Sequence, residues 1–146
     1  MHRSFRCAVV AVLPALLIAA CSSDTSTPTS PSGAAGTYTL LRINGVALPA
    51  VFDVSGTDTT SATAGVVRLH ANSTWAVNLT LSLRSGGQTT PLTQSDTGTF
   101  AISHDTATFT STDLSTTTAV LSGNNVTVYA NQGDQQSATV LTFQKQ

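Results

Sequence analysis

Residues 74–84 read Thr-Trp-Ala-Val-Asn-Leu-Thr-Leu-Ser-Leu-Arg, and their alternation decides the fold class. Trp75, Val77, Leu79, Leu81 and Leu83 occupy every second position, with Thr74, Ala76, Asn78, Thr80, Ser82 and Arg84 between them. Successive side chains of a strand point to opposite faces, so a period of two gives one apolar face and one polar face. The stretch predicts a strand of about ten residues, near 34 Å long.

The same grammar extends in both directions. Upstream, Gly65 to His70 places Val67 and Leu69 on one face, and Ala71-Asn72-Ser73 turns the chain into the Trp75 strand. Downstream, Ser85-Gly86-Gly87 is a turn. Thr89 to Thr97 is polar and interrupted by Pro91, which suits an edge strand or a loop. Thr99 to Ser103 and Ala107 to Ser111 form a hairpin around His104-Asp105. Thr117 to Leu121 and Val126 to Ala130 form another around Gly123-Asn124-Asn125, and Ala138 to Phe143 closes the chain. At the start, Thr37 to Ile43 leads into Asn44-Gly45, the strongest short hairpin signal. Val46 to Val54, with Pro49 inside it, reads as a short edge strand or a lid over one end. No apolar periodicity of 3.6 residues runs long enough for a helix of three turns.

These elements predict an all-β domain at 36–146: an antiparallel meander of about eight strands closing into a small barrel, since closure removes unprotected edges. An immunoglobulin-like β-sandwich is the alternative, but it wants long crossing connections where this chain has tight turns. Composition agrees. Charged residues are 9% of the 146, there is no Glu, and Lys145 is the one lysine, so Ser and β-branched Thr supply the polar surface. A hydrophobic fraction of 40% is too high for a disordered polymer. The net charge of -1 leaves no basic field for phosphates, which excludes nucleic acid as a partner.

The first 35 residues follow a different logic. His2, Arg3 and Arg6 form a positive head, and Cys7 to Ile18 is an apolar run of about 12 residues, short of the ~20 needed to span a bilayer. It fits the apolar centre of a secretory signal peptide. Leu17-Ile18-Ala19-Ala20-Cys21 resembles the bacterial lipobox, which implies a signal peptide at 1–20 and a diacylglycerol on the Cys21 sulfur after cleavage. Two or more acyl chains anchor stably. Ser22 follows the cysteine in place of a retention-signalling Asp, which by the same resemblance directs the protein to the outer membrane of the bacterial cell envelope. Residues 21–35 then read as the lipidated cysteine and a flexible Ser/Thr/Pro tether, spanning roughly 20 Å as a coil.

Gly36-Thr37-Tyr38-Thr39-Leu40, followed by Ile43-Asn44-Gly45, Leu48-Pro49, the aromatic strand near Trp75 and Gly98-Thr99-Phe100, resembles the small lipocalin-like lipoproteins of bacteria. The likeness covers most of residues 36–146 and implies a barrel with an apolar interior.

Chemistry is sparse. His70 and His104 lie at a strand end and a turn, no second ligand falls at metal spacing, and Gly-x-Ser-x-Gly does not occur. The aspartates fall mainly in predicted loops, so the facing carboxylate pair of a glycosidase is not expected. The expectation is a non-catalytic protein with no cofactor, no metal and no catalytic residues. It would be membrane-bound through its lipid anchor and would bind a small apolar ligand, a lipid or an envelope protein. Tyr38, Trp75, Phe100, Phe109, Tyr129 and Phe143 read first as core. Tyr38 and Trp75 are the aromatic candidates for a ligand site, and Arg42 and Arg68 are the candidates for pairing with an anionic group. A cavity of about 300 Å³ or more would favour a ligand; a packed interior would favour a structural or partner-docking lipoprotein.

Overall fold

The strand that opens the argument, β5 (Thr74–Ser85), lies in the middle of the longest part of the sheet and buries Trp75, Leu79 and Leu81 on one face. A computed structural model describes residues 29–130 and 139–146. The expected signal peptide at 1–20, Cys21 and the first part of the expected tether lie outside the described residues. A short helix, α1 (Pro31–Ala34), precedes ten strands. These are β1 (Gly36–Ile43), β2 (Val46–Ala47), β3 (Ala50–Ser55), β4 (Asp58–Leu69), β5, β6 (Gln88–Ser103), β7 (Thr106–Ser111), β8 (Thr116–Ser122), β9 (Asn125–Ala130) and β10 (Thr139–Lys145).

All neighbouring pairs are antiparallel. From β4 to β10 each strand pairs with the next, and β1 pairs both with β10 (Tyr38↔Lys145 to Ile43↔Leu141) and with β4 (Gly36↔Leu69 to Thr39↔Val66). That double pairing closes an eight-stranded barrel of β1, β4, β5, β6, β7, β8, β9 and β10, the meander barrel expected from the sequence. A sandwich is thereby set aside. The turns follow their chemistry: Asn44 and Gly45 have φ of 50° and 80°, the left-handed pair of a type I′ hairpin. Ser103↔Thr106 and Ser122↔Asn125 each leave a two-residue turn, at His104-Asp105 and Gly123-Asn124.

Two regions differ from the simple meander. Pro91 does not break β6, which runs unbroken for 16 residues. β6 pairs with β5 along Thr74↔Thr99 to Ser85↔Gln88, but with β7 only from Gly98 to Ser103. Thr97 accepts the Thr112 amide on the β7 side and the Phe100 amide donates to Ser73 on the other. Odd-numbered backbone groups of β6 therefore face β7, and at Pro91 they face a free edge where no amide is needed. The result is a four-stranded apron beyond the closed barrel, made of β3, the start of β4, the end of β5 and the start of β6. Val46 to Val54, read as one short edge strand or lid, is split by Leu48-Pro49 into β2 and the apron's outer strand β3.

The second difference is α1. The sequence places Pro31–Ala34 in the tether, yet Ser30 caps a helical turn by accepting from the Gly33 amide, and Ala34 is fully buried. This turn directly precedes β1 and reaches β6, three strands away around the barrel, so it crosses the end of the barrel where β1 begins. The core lies between: Tyr38, Leu40, Leu69, Trp75, Phe100, Phe109, Leu121, Val126, Leu141 and Phe143 are all buried. Tyr129, expected in that core, instead points outward and is exposed.

Candidate functional site

Alternation along the barrel strands aims one side chain in two at the interior, and where those side chains fall short of filling it a cavity of about 170 Å³ remains. The cavity is partly open. Its walls are apolar, with Trp75, Val77 and Leu79 from β5, Phe109 from β7, Val128 from β9, and Leu141 and Phe143 from β10. The indole Nε1 donates to the Thr99 carbonyl at 3.0 Å, so the polar atom of Trp75 is satisfied and its ring is left as an apolar wall. Phe109 meets that ring edge-on at 5.5 Å between centroids and lies 5.8 Å from Phe100.

Polar groups collect where β6 leaves β7. Gln94 and Asp96 of β6, Ser111 at the end of β7 and Thr117 near the start of β8 are the polar residues of the lining. Asp96 is fixed by two hydrogen bonds: its Oδ1 accepts from the Thr97 amide at 2.7 Å and its Oδ2 from Ser111 Oγ at 2.6 Å. The strand can bring Ser111 that close because residue 98 is Gly. A Cβ there would run into the Thr110 carbonyl oxygen and the Ser111 Cα, both backbone atoms.

Of the four residues that the sequence offers for a ligand site, Tyr38, Trp75, Arg42 and Arg68, only Trp75 lines this cavity. Tyr38 is 1% exposed, its hydroxyl donates to the Ala34 carbonyl at 2.6 Å, and burial raises its phenol pKa above the ordinary value. It joins the barrel to α1. Arg42 is exposed and donates to the Gly45 carbonyl of its own hairpin, and Arg68 is exposed on the outer face of β4. None of these three lines the cavity. Arg84 is likewise exposed, so none of the described arginines faces the interior.

The sequence does not single out Asp96 and Gln94, because the aspartates fall mainly in predicted loops and the polar stretch around Pro91 suits an edge strand or a loop. Their signal was the register itself: Asp96 lies four residues before buried Phe100, and Gln94 six, both on the inward face once the strand is continuous. His70 and His104 are exposed, at the end of β4 and in the β6–β7 turn. Among the described residues no three His, Cys, Asp or Glu side chains are grouped to hold a metal ion. Comparison with protein-family models, with curated proteins and with solved structures returns no match.

Proposed function

We propose that this chain is a non-catalytic protein of the bacterial cell envelope, anchored by lipid at Cys21, whose barrel binds a small apolar ligand. The observation that carries the reading is the cavity beside Trp75, walled by aromatic and aliphatic side chains and edged by a few polar groups, the usual character of a small-molecule site. Its 170 Å³ does not reach the ~300 Å³ expected above of a ligand cavity, the lower end of pockets for drug-sized ligands, so the reading holds only for a smaller ligand. The volume is close to the ~150 Å³ of an apolar cavity that holds benzene. The ligand is therefore about one aromatic ring in size, and a whole acyl chain is too large for the cavity.

Trp75 is the one tryptophan of the chain, so its fluorescence reports on the site. Toluene should bind saturably and perturb that fluorescence, and Val128→Phe, which fills the cavity from β9, should abolish the effect while the circular dichroism stays that of a β protein. Absence of saturable binding by the unmodified protein overturns the reading.

A second reading, a lipoprotein that docks an envelope partner, draws on the apron. Val51 and Val54 of β3 are exposed, Val54 at 62%, and the edge of β6 between Gln88 and Asp96 carries no strand partner among the described residues. Such an edge is a template for added strands. In cells, a photo-crosslinking residue at position 93 should then trap a single protein species, and no adduct there would remove this reading.

A further inference from the structure

The ligand-binding reading, on which this inference rests, leaves the chemistry of the ligand open; Asp96 narrows it. Of the described residues lining the cavity, Asp96 is the only one that carries a formal charge. It is half-buried and accepts hydrogen bonds from the Thr97 amide and the Ser111 hydroxyl, both neutral donors. Arg42, Arg68 and Arg84 are exposed, and Lys145 sits over the Tyr38 ring, 5.8 Å from its centroid, at the barrel end that α1 crosses. No side chain of the described residues serves as counter-ion to Asp96.

A carboxylate offers about four acceptor positions, and here two are used to hold it in place. The remaining ones are available to donors, beside an apolar chamber. Taking a charge out of water without a partner is costly, and an opposite charge on a ligand offsets that cost. An anionic ligand would meet like charge at the same place.

We infer that the cavity takes a small organic cation, an apolar body of about one ring carrying an amine, with Asp96 as its counter-ion. Trp75, Phe109 and Leu141 would pack the body, and the ammonium would donate to Asp96. The same geometry disfavours carboxylates, including short fatty acids.

Three probes of similar shape test this at pH 7: toluene, benzylamine and benzoate, titrated into the detergent-solubilised full protein with calorimetry and Trp75 fluorescence as readouts. A hydrogen bond to a charged group is stronger than one between neutral groups, so benzylamine should bind at least about tenfold more tightly than toluene, and benzoate more weakly than either. Asp96→Asn, which preserves shape and an acceptor for Ser111, should bring benzylamine down to the level of toluene and so abolish the preference for the amine. If toluene binds and benzylamine binds no better, the cation inference is overturned while the apolar-ligand reading stands. If no probe binds, that reading fails and the inference falls with it. The comparison of probes on the unmodified protein decides the matter even if the Asn variant does not fold.

Discussion

Trp75 and Phe109 stand edge to face across the barrel interior, ring centroids 5.5 Å apart and planes at 79°. This is the arrangement that aromatic quadrupoles favour, and it adds about 0.5–1.5 kcal/mol to what burial of each ring supplies. Trp75 is 8% exposed and Phe109 5%. Trp75→Ala and Phe109→Ala should each destabilise the fold by about 3–5 kcal/mol. The double variant should cost less than the sum, because the pair term is lost only once. Urea unfolding followed by circular dichroism measures all three. A loss under about 1 kcal/mol for Trp75→Ala would place the ring outside the core and remove the cavity wall with it.

Gly98 gives a sharper prediction, because the obstacle to a side chain there is backbone. The added methyl of Gly98→Ala would collide with the Thr110 carbonyl and the Ser111 Cα, so β6 and β7 must separate at the point where Asp96 bonds Ser111. We expect a loss of about 1–3 kcal/mol or more from this overpacking, together with weaker ligand binding. Gly86→Ala is the control: at φ +56° it is strained, but nothing lies within 4 Å of its Cβ. It should cost about 1–2 kcal/mol and leave binding intact. Equal effects of the two variants on binding would contradict the role given to Gly98.

How much of this could be read in the sequence depends on whether the local chemistry was specific. The type I′ turn at Asn44-Gly45 and the turns at His104-Asp105 and Gly123-Asn124 were legible because each needs residues that tolerate left-handed backbone, and φ is 50° at Asn44, 59° at His104 and 55° at Gly123. The Trp75 strand was legible from its period of two. The first half of β4, Asp58 to Ala64, was not, since Thr, Ser and Ala give no apolar alternation. Helix α1 was hidden because Pro-Ser-Gly-Ala reads as tether; its order comes from Ala34 and Tyr38, a tertiary contact. Asp96 was hidden for a related reason. Its inward direction depends on β6 continuing through Pro91, and that depends on the neighbouring edge being free.

Tyr38 links stability to alkaline pH. Burial raises its phenol above 10.0, the value taken for the unfolded chain. Below pH 10.0 both states hold the proton and the group adds no pH dependence. Above it the unfolded chain loses the proton first, so the unfolded state binds fewer protons and stability falls as the pH climbs through the higher folded value. Tyr38→Phe should flatten this alkaline decline, while costing about 0.5–1.5 kcal/mol at pH 7 for the lost bond to Ala34. Urea midpoints of both proteins from pH 8 to 11 test it. The other titrating groups are common to the two proteins, so an unchanged slope would show that Tyr38 is not the group responsible.

The anchor is the remaining element of the proposed function, and it depends on one sulfur atom. If Cys21 carries a diacylglycerol and its freed amine is acylated, each buried methylene contributes about 0.8 kcal/mol and two or more chains hold the protein at the bilayer for good. No helix among the described residues is long and apolar enough to cross a membrane. Cys21→Ser should therefore block lipidation and move the protein from the membrane fraction to the soluble fraction, with the barrel folded and toluene binding retained. Mass spectrometry of the unmodified protein should show an N-terminal cysteine at residue 21 carrying acyl chains. A serine variant that still fractionates with membranes would mean that the barrel, and not the sulfur, makes the attachment, and the exposed valines of the apron would be the first residues to change.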